Sequence, residues 1–255
     1  MSEDLGPWFH RFRPAGRNAV RLFCFPHAGG AATSFVGLAG ALAPGVEMFA
    51  VQYPGRQDRF GERCVESLTE LAELAFAEMQ PYTAGTVPYA LLGHSMGATV
   101  AFEVARRLEA AGSAPSVLFA SGRTAPSCAP KEGGRTLDDA AVLADIRKLG
   151  GTSGEVLDDP RLMAIVLPAL RADYQAVQGY RFAADGNRQP VGCRITAMVG
   201  DTDPAVSAAE AAAWARHTTG EFELLEFPGG HFYLDDNLEA IATAIRSLLV
   251  GEVRV

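Results

Sequence analysis

The sequence predicts an α/β fold, a mostly parallel central sheet flanked by helices. Short apolar runs bounded by Pro and Gly recur along the chain, helical stretches separate most of them, and one run passes through a glycine-flanked serine directly into an amphipathic helix. With 255 residues, 48% hydrophobic and 20% charged, the chain can bury the core that such a sheet requires, and it reads as one domain over 1–255.

Arg21 to Phe25 and Glu47 to Tyr53 have the continuous apolar character of parallel strands buried on both faces. Tyr89 to Leu92, Val117 to Ala120, Ile195 to Val199 and Phe222 to Phe227 follow in the same style. Two helix starts are marked by the capping-box pattern, Ser67-Leu68-Thr69-Glu70 and Ser207-Ala208-Ala209-Glu210, in which Ser and Glu satisfy backbone amides that a helix leaves open. Leu68, Leu71, Ala75 and Met79 form an apolar stripe at helical spacing, as do Ala98, Ala101, Phe102, Ala105 and Leu108.

From about Thr124 to Pro190 the alternation lapses. Residues 124–190 are too long for an ordinary connection, so they are predicted to form a helical lid insertion, with loop-like stretches at Lys131 to Arg135 and Gly150 to Gly154. Its apolar residues, among them Leu162, Ile165, Val166, Leu170 and Tyr174, are suited either to lining a channel or to packing the insertion onto the domain.

The formal charge of −8 and the lack of a long Lys/Arg block argue against nucleic acid or an anionic membrane as the main partner. Met1 to Pro14 lacks the apolar core of a secretory signal, and no run approaches the roughly 18 apolar residues of a membrane span, so a cytoplasmic protein is expected; the oligomeric state is left open, with a monomer as the default. Cys24, Cys64, Cys128 and Cys193 lack the paired spacing of a zinc or redox motif and are read as plain thiols. No metal site is expected.

The chemistry centres on Tyr89-Ala90-Leu91-Leu92-Gly93-His94-Ser95-Met96-Gly97-Ala98, a strand, a Gly-x-Ser-x-Gly turn and a helix in immediate succession. Such a turn lifts a serine hydroxyl above the sheet at the positive end of a helix, and this context predicts the α/β-hydrolase fold with Ser95 as nucleophile. A serine needs a general base. Of the five histidines, His10 lies in the terminal arm, His27 in a loop it helps to shape, and His94 inside the turn, where it should point away from the base position. His217 closes a helix, where a cation is favoured by the helix dipole. His231 follows the last predicted strand, the place of the base in the order Ser, acid, His.

The strand ending Ala197-Met198-Val199-Gly200 is followed by two carboxylates. Asp203, three residues after the glycine, is preferred as the acid over Asp201, whose other role is to shape the loop. The preceding strand runs into Ser121-Gly122-Arg123-Thr124 and offers no carboxylate. Acyl transfer also needs donors for an oxyanion: Met96 supplies one backbone N–H, and Phe25-Pro26-His27-Ala28-Gly29-Gly30 has the form of a loop that supplies the other. Ala28 is preferred there, with His27 and Gly29 left open.

Five motifs in order, Phe25-Pro26-His27-Ala28-Gly29-Gly30, Gln52-Tyr53-Pro54-Gly55-Arg56, Gly93-His94-Ser95-Met96-Gly97, Gly200-Asp201-Thr202-Asp203-Pro204 and Gly229-Gly230-His231-Phe232, together resemble the type II thioesterases of polyketide and nonribosomal peptide biosynthesis. The resemblance runs over nearly the whole chain, with the insertion a loose match. It implies a discrete editing enzyme that hydrolyses acyl groups from the phosphopantetheine arm of an acyl or peptidyl carrier protein beneath a helical lid. It implies no metal or redox cofactor, since phosphopantetheine belongs to the carrier. Arg56 matches a family motif but is expected only to pair with a carboxylate. A carboxylesterase or acyltransferase with the same triad is the alternative reading. A carrier-binding protein without catalysis is the third, and the intact Ser, His and Asp set argues against it.

Overall fold

The computed structural model describes residues 5–16, 19–85, 87–128, 138–150, 159–182 and 189–251. Seven strands form one sheet: β1 (Phe9–His10), β2 (Val20–Phe25), β3 (Val46–Val51), β4 (Tyr89–His94), β5 (Val117–Ser121), β6 (Arg194–Gly200) and β7 (Phe222–Phe227). Their spatial order is β1-β3-β2-β4-β5-β6-β7, and every pairing is parallel except that of β1 with β3. All six predicted strands are present. The antiparallel edge β1 escapes sequence reading because two residues carry no periodicity.

The apolar runs are continuous because both faces of the sheet are covered, and successive side chains enter opposite layers. Phe23 and Phe25 pack with α2 (Leu68–Thr83) and α3 (Met96–Ala110), while Leu22 and Cys24 pack with α1 (Val36–Leu42) and the C-terminal helix Leu238–Gly251. Every residue of the two predicted helix stripes is buried. The caps differ from each other: Ser207 and Glu210 form the reciprocal box, whereas at Ser67 only the Oγ-to-Glu70 amide half forms.

Within 124–190 the described parts contain α4 (Asp139–Leu149) and α5 (Pro160–Gly179). Val142 and Ile146 of α4 pack with Met163 and Leu170 of α5 in a small apolar cluster separate from the two sheet layers. The expected loop at Lys131 to Arg135 lies outside the described residues, and of Gly150 to Gly154 only Gly150 is described, as the left-handed C-cap of α4. Two short helices, α6 (Ala208–Ala211) and α7 (Tyr233–Asp236), flank β7, and Leu238–Gly251 is α8. No described helix is long and apolar enough to cross a membrane.

The sheet order sets the site. From β2 the chain goes to β3 on one side and then crosses to β4 on the other, so the loops after β2 and β4 diverge at the carboxyl ends of adjacent strands, where open α/β sheets form their ligand crevice.

Candidate active site

Ser95 stands between β4 and α3 with φ 54° and ψ −118°, a backbone conformation that L residues avoid. It is held there: its N–H donates to Ser121 O at 2.8 Å, and its carbonyl accepts from Ala98 N. The flanking glycines are required by close backbone approach. A Cβ on Gly93 would lie 2.5 Å from Ala98 Cα, and one on Gly97 would lie 2.6 Å from Phe25 C and 2.7 Å from Pro26 O.

Ser95 Oγ lies 3.0 Å from His231 Nε2, and His231 Nδ1 lies 2.8 Å from Asp203 Oδ2. An ionised carboxylate can only accept, so Nδ1 carries the proton and Nε2 is free to accept from the serine hydroxyl. Asp203 is itself fixed, its Oδ1 accepting from Ala205 N at 2.7 Å and from Val206 N at 3.3 Å, and its side chain is fully buried. Of the two carboxylates, Asp203 is the one that meets His231. Asp201 instead accepts from Gly229 N at 2.8 Å, bracing the turn that carries His231.

Ser95, His231, Met96 and Ala28 all face one cavity of about 900 Å³. Of the three amides left open in the loop after β2, that of Gly29 is engaged by Asp173 Oδ2 at 2.7 Å. The apolar residues of the insertion meet the two uses foreseen for them only in part. Val166, Leu170 and Tyr174 line the cavity, whereas Leu162 and Ile165 are 41% and 51% exposed.

Two histidines depart from expectation. His94 does not point away from the base, because its ring packs 5.2 Å from that of His231. Its Nδ1 is 2.9 Å from Ser121 Oγ, which in turn meets Tyr233 Oη at 2.6 Å. Burial, then the nearby His231 and His27, pulls its pKa well below the ordinary value, so His94 is a neutral ring backing the base. His217 does end a helical segment, yet it is buried among Phe102, Trp214 and Phe182 and held to about 4 by that burial, with Arg216 and Arg106 adding to it. The interior outweighs the helix dipole. His27 is also lowered to about 4, by burial and then by His231 and Arg56.

These three shifts have one sign. Each imidazole is neutral in the folded chain and titrates near 6.5 when unfolded, so below 6.5 the unfolded chain binds more protons and the folded state loses stability. The thermal midpoint should therefore fall as the pH drops from about 6.5 towards 4. His217→Phe, placed among aromatic rings and unable to titrate, should flatten that fall. An unaltered profile in the variant would remove His217 as a contributor.

The family model for a thioesterase domain matches residues 20–249. The chain belongs to the thioesterase family. It is 46% identical to Thioesterase PikA5 of Streptomyces venezuelae over 98% of this chain and 88% of that protein. To a probable cadicidin biosynthesis thioesterase of Streptomyces griseus it is 43% identical over 95% of this chain and 66% of the relative's length. Among solved structures it superposes on the type II thioesterase BorB from the borrelidin biosynthetic cluster with a TM-score of 0.86 and 44% identity, covering 98% of this chain and 99% of that one. The α/β-hydrolase architecture expected from the serine turn is that of these neighbours, and the thioesterase is a hydrolase acting on thioesters.

Sequence reasoning missed one polar group at the thioesterase's site, Asp173. A signal was present: Asp173 lies three residues after Leu170 on α5, a buried acid on a face that otherwise reads as apolar.

Proposed function

We propose that this thioesterase releases acyl groups from the phosphopantetheine arm of acyl or peptidyl carrier proteins, an editing activity in polyketide or nonribosomal peptide synthesis. The observation that carries the reading is the hydrogen-bonded line from Ser95 through His231 to Asp203, opening on a cavity large enough for an acyl chain. Ser95 Oγ attacks the thioester carbonyl while His231 Nε2 takes its proton. The N–H groups of Met96 and Ala28 hold the oxyanion, each worth about 3 kcal/mol when aligned. Collapse of the tetrahedral species expels the pantetheine thiol, protonated by His231. Water, deprotonated by the same imidazole, then attacks the acyl-serine and frees the carboxylic acid. Asp203 keeps the proton on Nδ1 throughout and supports the imidazolium. The thiolate is a good leaving group, so less acid assistance is needed than with an alkoxide. Helices α4 and α5 act as the lid over this cavity.

Parallel turnover of an acyl-pantetheine thioester and the matching oxygen ester tests the reaction class. The thioester should be hydrolysed faster, and faster still when presented on a carrier protein. Preference for the oxygen ester would instead make the enzyme a carboxylesterase. The acid assignment predicts that Asp203→Asn lowers kcat by about 10⁴-fold through the wrong imidazole tautomer. Asp201→Asn, which keeps an oxygen acceptor for Gly229 N, should stay near wild type. Equal losses in the two variants would contradict the assignment.

A further inference from the structure

The loop between β2 and α1 is clamped by side chains at four points. Tyr53 Oη donates to Pro26 O in a long contact of 3.5 Å, Arg56 donates to Gly30 O at 3.2 Å, and Gln52 Oε1 accepts from Ala32 N at 2.8 Å. These three side chains come from the single run Gln52 to Arg56. The fourth is Asp173 of α5, whose Oδ2 accepts from Gly29 N. Among the described residues, Ala28 N, like His27 N before it, donates to no protein group, whereas the amides of Gly29, Gly30, Ala31 and Ala32 that follow are tied.

Arg56 and Asp173 also meet each other in a bidentate pair, Nη1 to Oδ2 at 2.6 Å and Nη2 to Oδ1 at 2.9 Å, with side chains 6% and 0% exposed. Burial alone would lower the guanidinium's pKa, but Asp173 carries it above its ordinary value, so the guanidinium stays charged. A buried ion pair is weak evidence of stabilisation, since apolar residues of similar volume often serve as well. What an apolar pair could not do is hold Gly29 N and Gly30 O. The same face of α5 also seats Leu170 directly against Gly29, its Cγ 3.1 Å from where a Cβ would stand.

We propose that Arg56 and Asp173 are positioning residues for the oxyanion site: by fixing Gly29 N and Gly30 O as one bonded pair, they aim the Ala28 N–H into the cavity, and so make catalysis depend on where α5 sits. This rests on the roles given above to Ser95 and Ala28. A displacement of about 1 Å at such a donor can lower turnover about 10²-fold.

The test uses the full chain with Arg56→Met/Asp173→Leu, which removes both charges together, and with Asp173→Asn and Arg56→Lys. Measured are the thermal midpoint, kcat and KM for an acyl-pantetheine thioester, and the affinity for an alkyl boronic acid that forms a tetrahedral adduct on serine. The double variant should fold, lose on the order of 10²-fold in kcat with KM little changed, and lose boronate affinity in parallel. Asp173→Asn, retaining one oxygen for Gly29 N, should recover part of both. A folded double variant with wild-type kcat and boronate affinity would overturn the proposal. If the double variant does not fold, the same result in folded Asp173→Asn and Arg56→Lys would overturn it. Ser95→Ala run alongside separates the two claims: full activity there would sink the nucleophile, whatever the pair does.

Discussion

Ser95→Ala should lower kcat by about 10⁶-fold, leaving roughly 10³ to 10⁴ over water from binding and oxyanion contacts. The size follows from the proposed role of Ser95 as the group that carries the acyl chain, together with its bond to His231 Nε2. No acyl-enzyme should be trapped from the variant by mass spectrometry, and an adduct on any other side chain would refute the assignment. Strain adds a second, independent readout. Alanine inherits the φ of 54° that serine tolerates at a cost of about 1–3 kcal/mol, whereas glycine does not. Ser95→Gly, equally inactive, should therefore be more stable than Ser95→Ala to urea. A reversed order would mean that the turn is not strained.

Gly97→Ala should destabilise the thioesterase by at least about 3 kcal/mol, a sign opposite to that of helix propensity. Inside a helix, replacing glycine by alanine ordinarily gains about 0.5–1 kcal/mol. Here the added carbon would sit 2.6 Å from Phe25 C and 2.7 Å from Pro26 O. Phe25 resists displacement because β2 is paired with β3 up to Cys24 and with β4 up to Phe25 itself. Relief can come only by moving α3 off the sheet or by shifting the start of the loop that carries Ala28, so turnover should fall in whatever fraction remains folded. Urea denaturation of the purified variant is the direct measurement. Stability equal to or above wild type would mean that α3 does not need this approach to β2.

The asymmetry between these two positions and the clamp at Gly29 tells where information lies in the chain. The serine turn is legible locally, since strand, Ser95 and helix occupy consecutive residues, although the contacts that hold its shape, Ser95 N to Ser121 O and Gly97 against Phe25, come from elsewhere in the chain. Asp203 and His231 are each placed by the strand they follow, so sequence reading could bring both to the right end of the sheet. It preferred Asp203 to Asp201 from its spacing after Gly200, whereas the contacts that distinguish the two, Asp203 with His231 and Asp201 with Gly229, each span 28 residues.

By itself, then, the sequence determined the alternation of strands and helices, the glycine-flanked serine turn and a short list of candidate partners for it, all of which depend on periodicity and on neighbours along the chain. Tertiary structure alone decided which carboxylate meets His231, that Gly29 rather than Ala28 has its amide engaged, and that Arg56 finds Asp173 across 117 residues. It also decided that His94 and His217 are neutral, since a pKa answers to how much water packing removes. Periodicity can place a side chain on a face, but the dielectric and the acceptor it meets there are supplied by elements far away in the chain.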